Sequence, residues 1–332
     1  MLFQQGDKKK GIEYTEEALG MLRQEINKNY IDIATLFLSL GNMYRDLNDV
    51  QKAALYNNQG ITLYRQYLPF NHPWLGTAFI NLSQFYFQIN SYQQAEHFAK
   101  EAYQTYLQTL GPTHRYTIMS LDFLAQAYYK QERIPEAIEV SKQVLEKAKI
   151  NPLQSDLSVY ECNYGVYLLY NAQYKEAIRH IKIAYDASSN FAFKLRYQTR
   201  IAEAFILKNE QTSALSELEE IISQYATHPE YGGITKRRAF LFQAHVLTAL
   251  NKPILAKRML NKASKIEVFP QDVEALALEQ RNIEGAIQCV EGNKKQGKSA
   301  LQNLLQQVQQ LHRNKNEPLL MRIRQTITKC GN

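Results

Sequence analysis

Gly41-Asn-Met-Tyr44, Ser83-Gln-Phe-Tyr86 and Ala125-Gln-Ala-Tyr128 are three versions of one segment, spaced 42 residues apart. Three alanines keep the same step, Ala53, Ala95 and Ala137, and a bulky residue stands three places before each, at Val50, Tyr92 and Ile134. Four columns in register over three copies mark an internal repeat. A period of roughly 20–50 residues marks a solenoid or another repeat array. Within a copy, the small residue lets a second helix approach closely, and the tyrosine three places on lies on the same helical face. Breaks at Asn48-Asp49, Asn90-Ser91 and Glu132-Arg133 divide each copy in two. Asn tolerates the left-handed conformation that ends a helix. The second helix brings its alanine against the first, and Gly60, Ala102 and Val144 follow two turns later on that face. Each unit is therefore expected to be a helical hairpin with a seam of small residues.

This pattern resembles the tetratricopeptide repeat, with its Leu-Gly-x-x-Tyr and later Ala positions. The basic unit there is about 34 residues. The extra length here lies in the links, Leu68-Pro-Phe-Asn-His-Pro73 and Leu110-Gly-Pro-Thr-His-Arg115. Long second helices followed by a Leu-Gly-Pro-x-His link look like the kinesin-light-chain type of the repeat, which is also common in bacterial signalling proteins. The resemblance covers residues 31–150 and thins to a generic helical repeat beyond. It implies an all-α fold, a right-handed superhelical solenoid of antiparallel helix pairs.

The expected organisation follows from that reading. Residues 1–150 form the regular repeats, 151–313 continue the solenoid in degenerate form, and 314–332 make a basic C-terminal capping helix and tail. Full units fall at about 31–68, 75–110 and 116–150. Later units are anchored by Gly165 and Ala177, by Ala202 and Ala214, and by Ala244 and Ala256, and a last one spans about 272–313. Gly6-Asp7 fits an inter-helix break, and Gly11 and Ala18 stand 42 residues before Ala53 and Gly60. Residues 7–27 thus read as a second helix without its first. The expectation is a fragment whose upstream part lies elsewhere.

Composition narrows the classes. Few Gly (14) and Pro (9) suit helices, and 22 Tyr suit seams where a ring is buried while its hydroxyl stays wet. No apolar run is long enough to span a membrane, and the first residues lack the apolar core of a signal peptide. Cys162, Cys289 and Cys330 form no C-x-x-C, which reads as a cytoplasmic chain without structural disulfides. Residues 294–332 hold eight Lys/Arg and one acid, accounting for the whole net charge of +7. Such a segment can touch nucleic acid or acidic protein, or be a solvated cap. Abundant Gln, Asn, Lys and Ile point to an AT-rich bacterial genome.

Chemistry-bearing motifs are sparse. Gly292-Asn-Lys-Lys-Gln-Gly-Lys-Ser299 satisfies the phosphate-loop spacing. That loop needs a buried strand before it, whereas Ile283 to Val290 continues a helical run. The seven histidines make no H-x-x-x-H, so no metal and no cofactor is expected. No catalytic residue is assigned. His72 and His114 recur with the units and are expected to cap the next helix. Trp74, the only Trp, reads as packing.

In a hairpin array the first helices line the inner groove where partners bind. Asn42, Gln84 and Gln126 form a polar column there, one place after the small residues. Asn81 matches the inward Asn of the kinesin-light-chain type. Arg45 and Tyr129 occupy equivalent places one turn on, and Asp122 lies one turn before Gln126. Amides donate and accept, which suits the backbone of an extended peptide. In later units the column holds Val166, Glu203 and His245. The expected function is a non-catalytic scaffold that binds a peptide or protein in the groove. The alternatives are a regulatory or sensor region of a larger signalling enzyme (kinase, nucleotide-driven switch or protease), reception of a peptide pheromone, and nucleic-acid binding through the basic tail.

Overall fold

The computed structural model describes residues 8–23, 26–150, 156–312 and 317–331, and every regular element among them is helical. The chain divides into two compact units, Met1–Asp156 and Leu157–Asn332. The first holds α1 (Lys8–Leu22) and three hairpins: α2 (Ile26–Asp46) with α3 (Val50–Tyr67), α4 (Pro73–Gln88) with α5 (Tyr92–Leu110), and α6 (Arg115–Lys130) with α7 (Ile134–Ala148). The second holds four hairpins: α8 (Leu157–Tyr170) with α9 (Tyr174–Ala187), α10 (Phe191–Leu207) with α11 (Gln211–Thr227), α12 (Gly233–Ala249) with α13 (Pro253–Ser264), and α14 (Pro270–Val290) with α15 (Lys294–Leu311). A final helix, α16 (Pro318–Gly331), follows them. This is the all-α solenoid type of architecture, built from antiparallel helix pairs. The break expected at Gly6-Asp7 lies outside the described residues.

One turn closes every hairpin. Asn48, Asn90, Glu132, Ala172, Asn209, Asn251 and Gly292 all have positive φ. In each case the next residue's N–H donates to a carbonyl five residues back, as from Asp49 to Tyr44 at 2.9 Å, Ser91 to Tyr86 at 2.8 Å, Gln173 to Leu168 at 2.9 Å and Asn293 to Gln288 at 2.9 Å. These are Schellman closures, which satisfy the orphan carbonyls of the first helix. The tyrosine column therefore also supplies the turn's acceptor carbonyl. The backbone repeat persists to Gly292, well past the point where side-chain columns fade. Gly292 is such a turn and a helix precedes it, so the phosphate-loop spacing has no strand here.

The small-residue seam has a steric cause. A Cβ on Gly41 would stand 2.6 Å from Asn57 Cγ, and one on Gly165 would stand 2.6 Å from Ile181 Cγ1. Ser83 joins two of the columns directly, its Oγ donating to the Ala95 carbonyl at 2.9 Å. Ala53, Ala95, Ala137, Ala177, Ala214 and Ala256 are fully buried. His72 and His114 cap helices as expected: Nδ1 accepts from the backbone N–H of Trp74 and of Tyr116, at 3.2 Å in both.

The last helix departs from two expectations. It is not a solvated cap: Pro318, Leu319, Leu320, Arg322, Ile323, Thr326 and Cys330 are buried where it packs on α10, α14 and α15. The cysteines also require a correction, because Cys289 and Cys330 are joined in a disulfide with their Cα atoms 5.4 Å apart. Residues 41 apart in sequence give no motif. They meet only because α16 folds back along α14.

Candidate functional site

In the first unit α2, α4 and α6 lie side by side, so Asn42, Gln84 and Gln126 share one layer. All three are half-buried. Arg45 Nη1 donates to Gln84 Oε1 at 3.3 Å, and its Nη2 pairs with Asp46 Oδ1 at 3.2 Å. Gln88 Nε2 donates to the Arg45 carbonyl at 3.2 Å, tying α4 to the end of α2. One helix on, Gln126 Nε2 donates to Asp122 Oδ2 at 2.7 Å, with Asp122 buried. Tyr129 is half-buried, and the Lys130 ammonium lies 5.9 Å from its ring and from that of Phe87. The seven residues singled out from the sequence thus fall into three places: Arg45 with Gln84, Asp122 with Gln126 and Tyr129 on α6, and Asn42 with Asn81.

The third place is a cavity of about 490 Å³ lined by Thr35, Leu38, Ser39, Asn42, Tyr64, Trp74, Thr77 and Asn81. Asn42 is one of its lining residues, and the Asn42 Oδ1 is buried without a hydrogen-bond partner. A buried acceptor left unmet costs about 1–3 kcal/mol, so a turn of the Asn42 side chain that let a ligand donor reach this atom would be favoured. Trp74 is 41% exposed, stands edge-on to His72 at 5.0 Å and lies 6.1 Å from Tyr64. The wall is held by hydroxyl pairs that repeat with the units, Thr35 to Tyr64 at 2.8 Å and Thr77 to Tyr106 at 2.9 Å. Burial pushes the Tyr106 phenol up to about 12. Trp74, which reads as packing in the sequence, lines this candidate cavity. Its spacing of seven from Asn81, two turns along one face, was the available signal.

The corresponding column of the second unit is closed at Glu203. Glu203 and His245 are buried, and α16 reaches the Glu203 side of α10. Arg322 Nη1 donates to Glu203 Oε1 at 2.7 Å, and Nη2 and Nε donate to the Glu279 carboxylate at 2.6 and 3.1 Å. Its guanidinium carbon lies 4.9 Å from the Phe242 ring centre. Arg200 takes the other Glu203 oxygen at 2.7 Å, and Gln325 Nε2 donates to the Leu207 carbonyl at 2.8 Å. Burial alone would raise Glu203, but Arg200, Arg322 and Arg238 outweigh it and bring the carboxyl down to about 2. Burial would lower Arg322, and Glu279 and Glu203 override that to hold it above the usual guanidinium range. This is a buried ionic network with every partner present, the condition under which such charges are tolerated.

Among the described residues no three His, Cys, Asp or Glu side chains are grouped to hold a metal ion, and no helix is long and apolar enough to cross a membrane.

Residues 74–149 match the family model of the tetratricopeptide repeat. Several solved structures are similar. Nearly identical TPR-like repeats described as kinesin light chain, from Podosopora anserina, give a TM-score of 0.51 at 19% identity, over 58% of this chain and 94% of that one. The apo form of RapI gives 0.62 at 11% identity, over 89% and 99%. A Signal Transduction ATPase with Numerous Domains from Pyrococcus horikoshii, carrying a tetratricopeptide repeat sensor, gives 0.63 at 14% identity, over 79% of this chain and 39% of that one. No curated protein matches the sequence. At these identities the likenesses show the fold: helical hairpins of the tetratricopeptide type.

Proposed function

For a protein built of tetratricopeptide-type helical repeats, we propose a non-catalytic scaffold whose first unit holds an extended peptide segment of a partner along α2, α4 and α6. The observation that carries this reading is the buried, partnerless Asn42 Oδ1 in a cavity shared with Asn81 and the half-exposed Trp74. A peptide N–H meets Asn42, a side chain packs on Trp74, and Asn81 and Gln84 extend the amide ladder towards Gln126 and Tyr129 on α6. Arg45 and Lys130 are offset by Asp46 and Asp122, so the face carries no strong charge preference.

The test compares the parent chain with a variant carrying Asn42→Ala, Asn81→Ala and Gln84→Ala, in capture from native extract followed by titration of the captured partner. Each lost hydrogen bond is worth about 1 kcal/mol net, so affinity falls about a hundredfold. Circular dichroism should show both chains equally helical. Equal affinity of both for the partner clears this face and ends the proposal.

A second reading is a sensor region of a larger signalling enzyme. It is supported by the likeness to a signal-transduction ATPase with a repeat sensor, of which this chain matches only 39%. Nucleic-acid binding through residues 294–332 has less support, because Arg322 is spent on internal ion pairs. A cytoplasmic place requires Cys289 and Cys330 to exist there as thiols, since disulfides persist in oxidising compartments. Thiol labelling of the native protein decides it.

A further inference from the structure

A second cavity, of about 430 Å³, opens in the second unit between α12, α14 and α16. Its size falls in the range of small-molecule sites. Ala249, Ala286, Val290 and the Cys289–Cys330 disulfide give it an apolar wall. Its charged lining is one-sided: Lys294 and Lys329 both contribute, and no carboxylate does. His245 lines it while only 5% exposed, and its Nδ1 is buried without a hydrogen-bond partner. A buried imidazole nitrogen left unmet is uncommon in a finished core.

We propose that this cavity binds a small organic monoanion, a carboxylate on a short apolar body, with the carboxylate between Lys329 and Lys294, the imidazole of His245 as hydrogen-bond partner and the apolar body against the Ala286–Val290 wall. Burial, with Arg322 and Lys329 nearby, brings His245 down to about 3, so the ring is neutral near pH 7 and offers one N–H. Partial desolvation also holds the Lys329 ammonium below its ordinary value although the side chain as a whole is exposed, and an anion would relieve it. A cation would meet two lysines and no acid. An uncharged ligand would leave the lysines unanswered.

The experiment uses the full chain with benzoate, benzamide and N-acetyl-leucine as probes, read by ligand-observed NMR and calorimetric titration. Benzoate is expected to bind saturably, with benzamide at least about tenfold weaker. Lys329→Gln, which removes charge from an exposed side chain, is expected to weaken benzoate about tenfold and leave benzamide unchanged. His245→Phe fills the ring's place without its nitrogens and should weaken benzoate by a similar factor. An unchanged circular dichroism spectrum and melting temperature are required of each variant, and Lys329→Gln alone suffices if His245→Phe fails to fold. Tighter binding of benzoate than of N-acetyl-leucine marks a free acid as the natural ligand. The reverse marks a peptide C-terminus, and either order supports the carboxylate site. Equal binding of benzoate and benzamide, indifference to Lys329→Gln, or no saturable binding overturns the proposal. None of these readouts depends on the groove of the first unit.

Discussion

The two units share a turn and a seam but use the inner column in opposite ways. In the first, the column is Asn42, Gln84 and Gln126, half-buried and neutral, beside an open cavity. In the second it is Val166, Glu203 and His245; α16 covers Glu203, with Arg322 bridging it to Glu279, while His245 lines the second cavity. Neutral amides can stay half-wet and wait for a partner at little cost. A carboxylate in the same place, once covered, demands an opposite charge. The column position is thus open to a ligand only where no internal ion pair covers it, as at Asn42 and His245, and at Glu203 the chain supplies its own cover.

The largest expected effect tests that contrast directly. Arg322→Ala leaves Glu203 and Glu279 buried without their shared cation and should destabilise the second unit by about 3–5 kcal/mol. Hydrogen exchange read peptide by peptide would show lost protection in α10, α14 and α16, with α2 to α7 unchanged. Replacing Arg322 and Glu279 together by Met, which leaves Glu203 paired with Arg200, should recover part of the loss, since apolar replacement of a buried ion pair is often neutral. Loss of protection spread evenly over both units would break the comparison.

Acid should separate the units next. The folded pKa of His245 is about 3 against an ordinary 6.5, and that of Glu203 about 2 against 4.5. The unfolded chain therefore binds more protons than the folded one from about pH 6.5 down to pH 2. Stability from both groups falls across that window, first through His245 and then through Glu203, at about 1.4 kcal/mol per unit of pKa difference. Glu317, raised chiefly by its burial, opposes part of this. The second unit should lose exchange protection at pH 4 before the first does. His245→Gln should flatten the upper part of the pH profile. Parallel acid profiles in the two units would contradict the ionic cover.

The smallest effect concerns what the units have in common. Ala172 is an exposed, non-Gly residue at positive φ in the turn that Asn48 occupies in the first unit. A left-handed backbone costs an ordinary L-residue about 1–2 kcal/mol. Ala172→Gly should stabilise by about 0.5–1 kcal/mol, net of the added freedom of the unfolded chain. Asn48→Ala should destabilise by a similar amount. Thermal melts measure both. A gain in one unit without the mirrored loss in the other would mean that the shared turn is not equivalent.

Much of this was legible before any coordinates. Gly41, Tyr44 and Ala53 announce one hairpin, and their recurrence announces the rest, because each depends on neighbours within a single unit. His72 and His114 were legible as caps for the same reason: a cap acts on the residue two places on. Asn42 and Asn81 were each legible as inward-facing amides, one from the column with Gln84 and Gln126 and the other from the resemblance, but their meeting in one cavity was not. Trp74 was not, because its exposure depends on how α4 meets the Tyr64 ring.

The hairpin, its turn and its period belong to the sequence, since their forces act over one turn of helix or one repeat. The cover on the second unit belongs to the tertiary structure. Arg322 meets Glu203 from 119 residues away, and Cys330 meets Cys289 across two helices. No periodicity states which surface a final helix will bury itself against. The same basic residue would be a solvated charge on a free helix and is a buried ion-pair partner here, and only the fold-back of α16 decides between them.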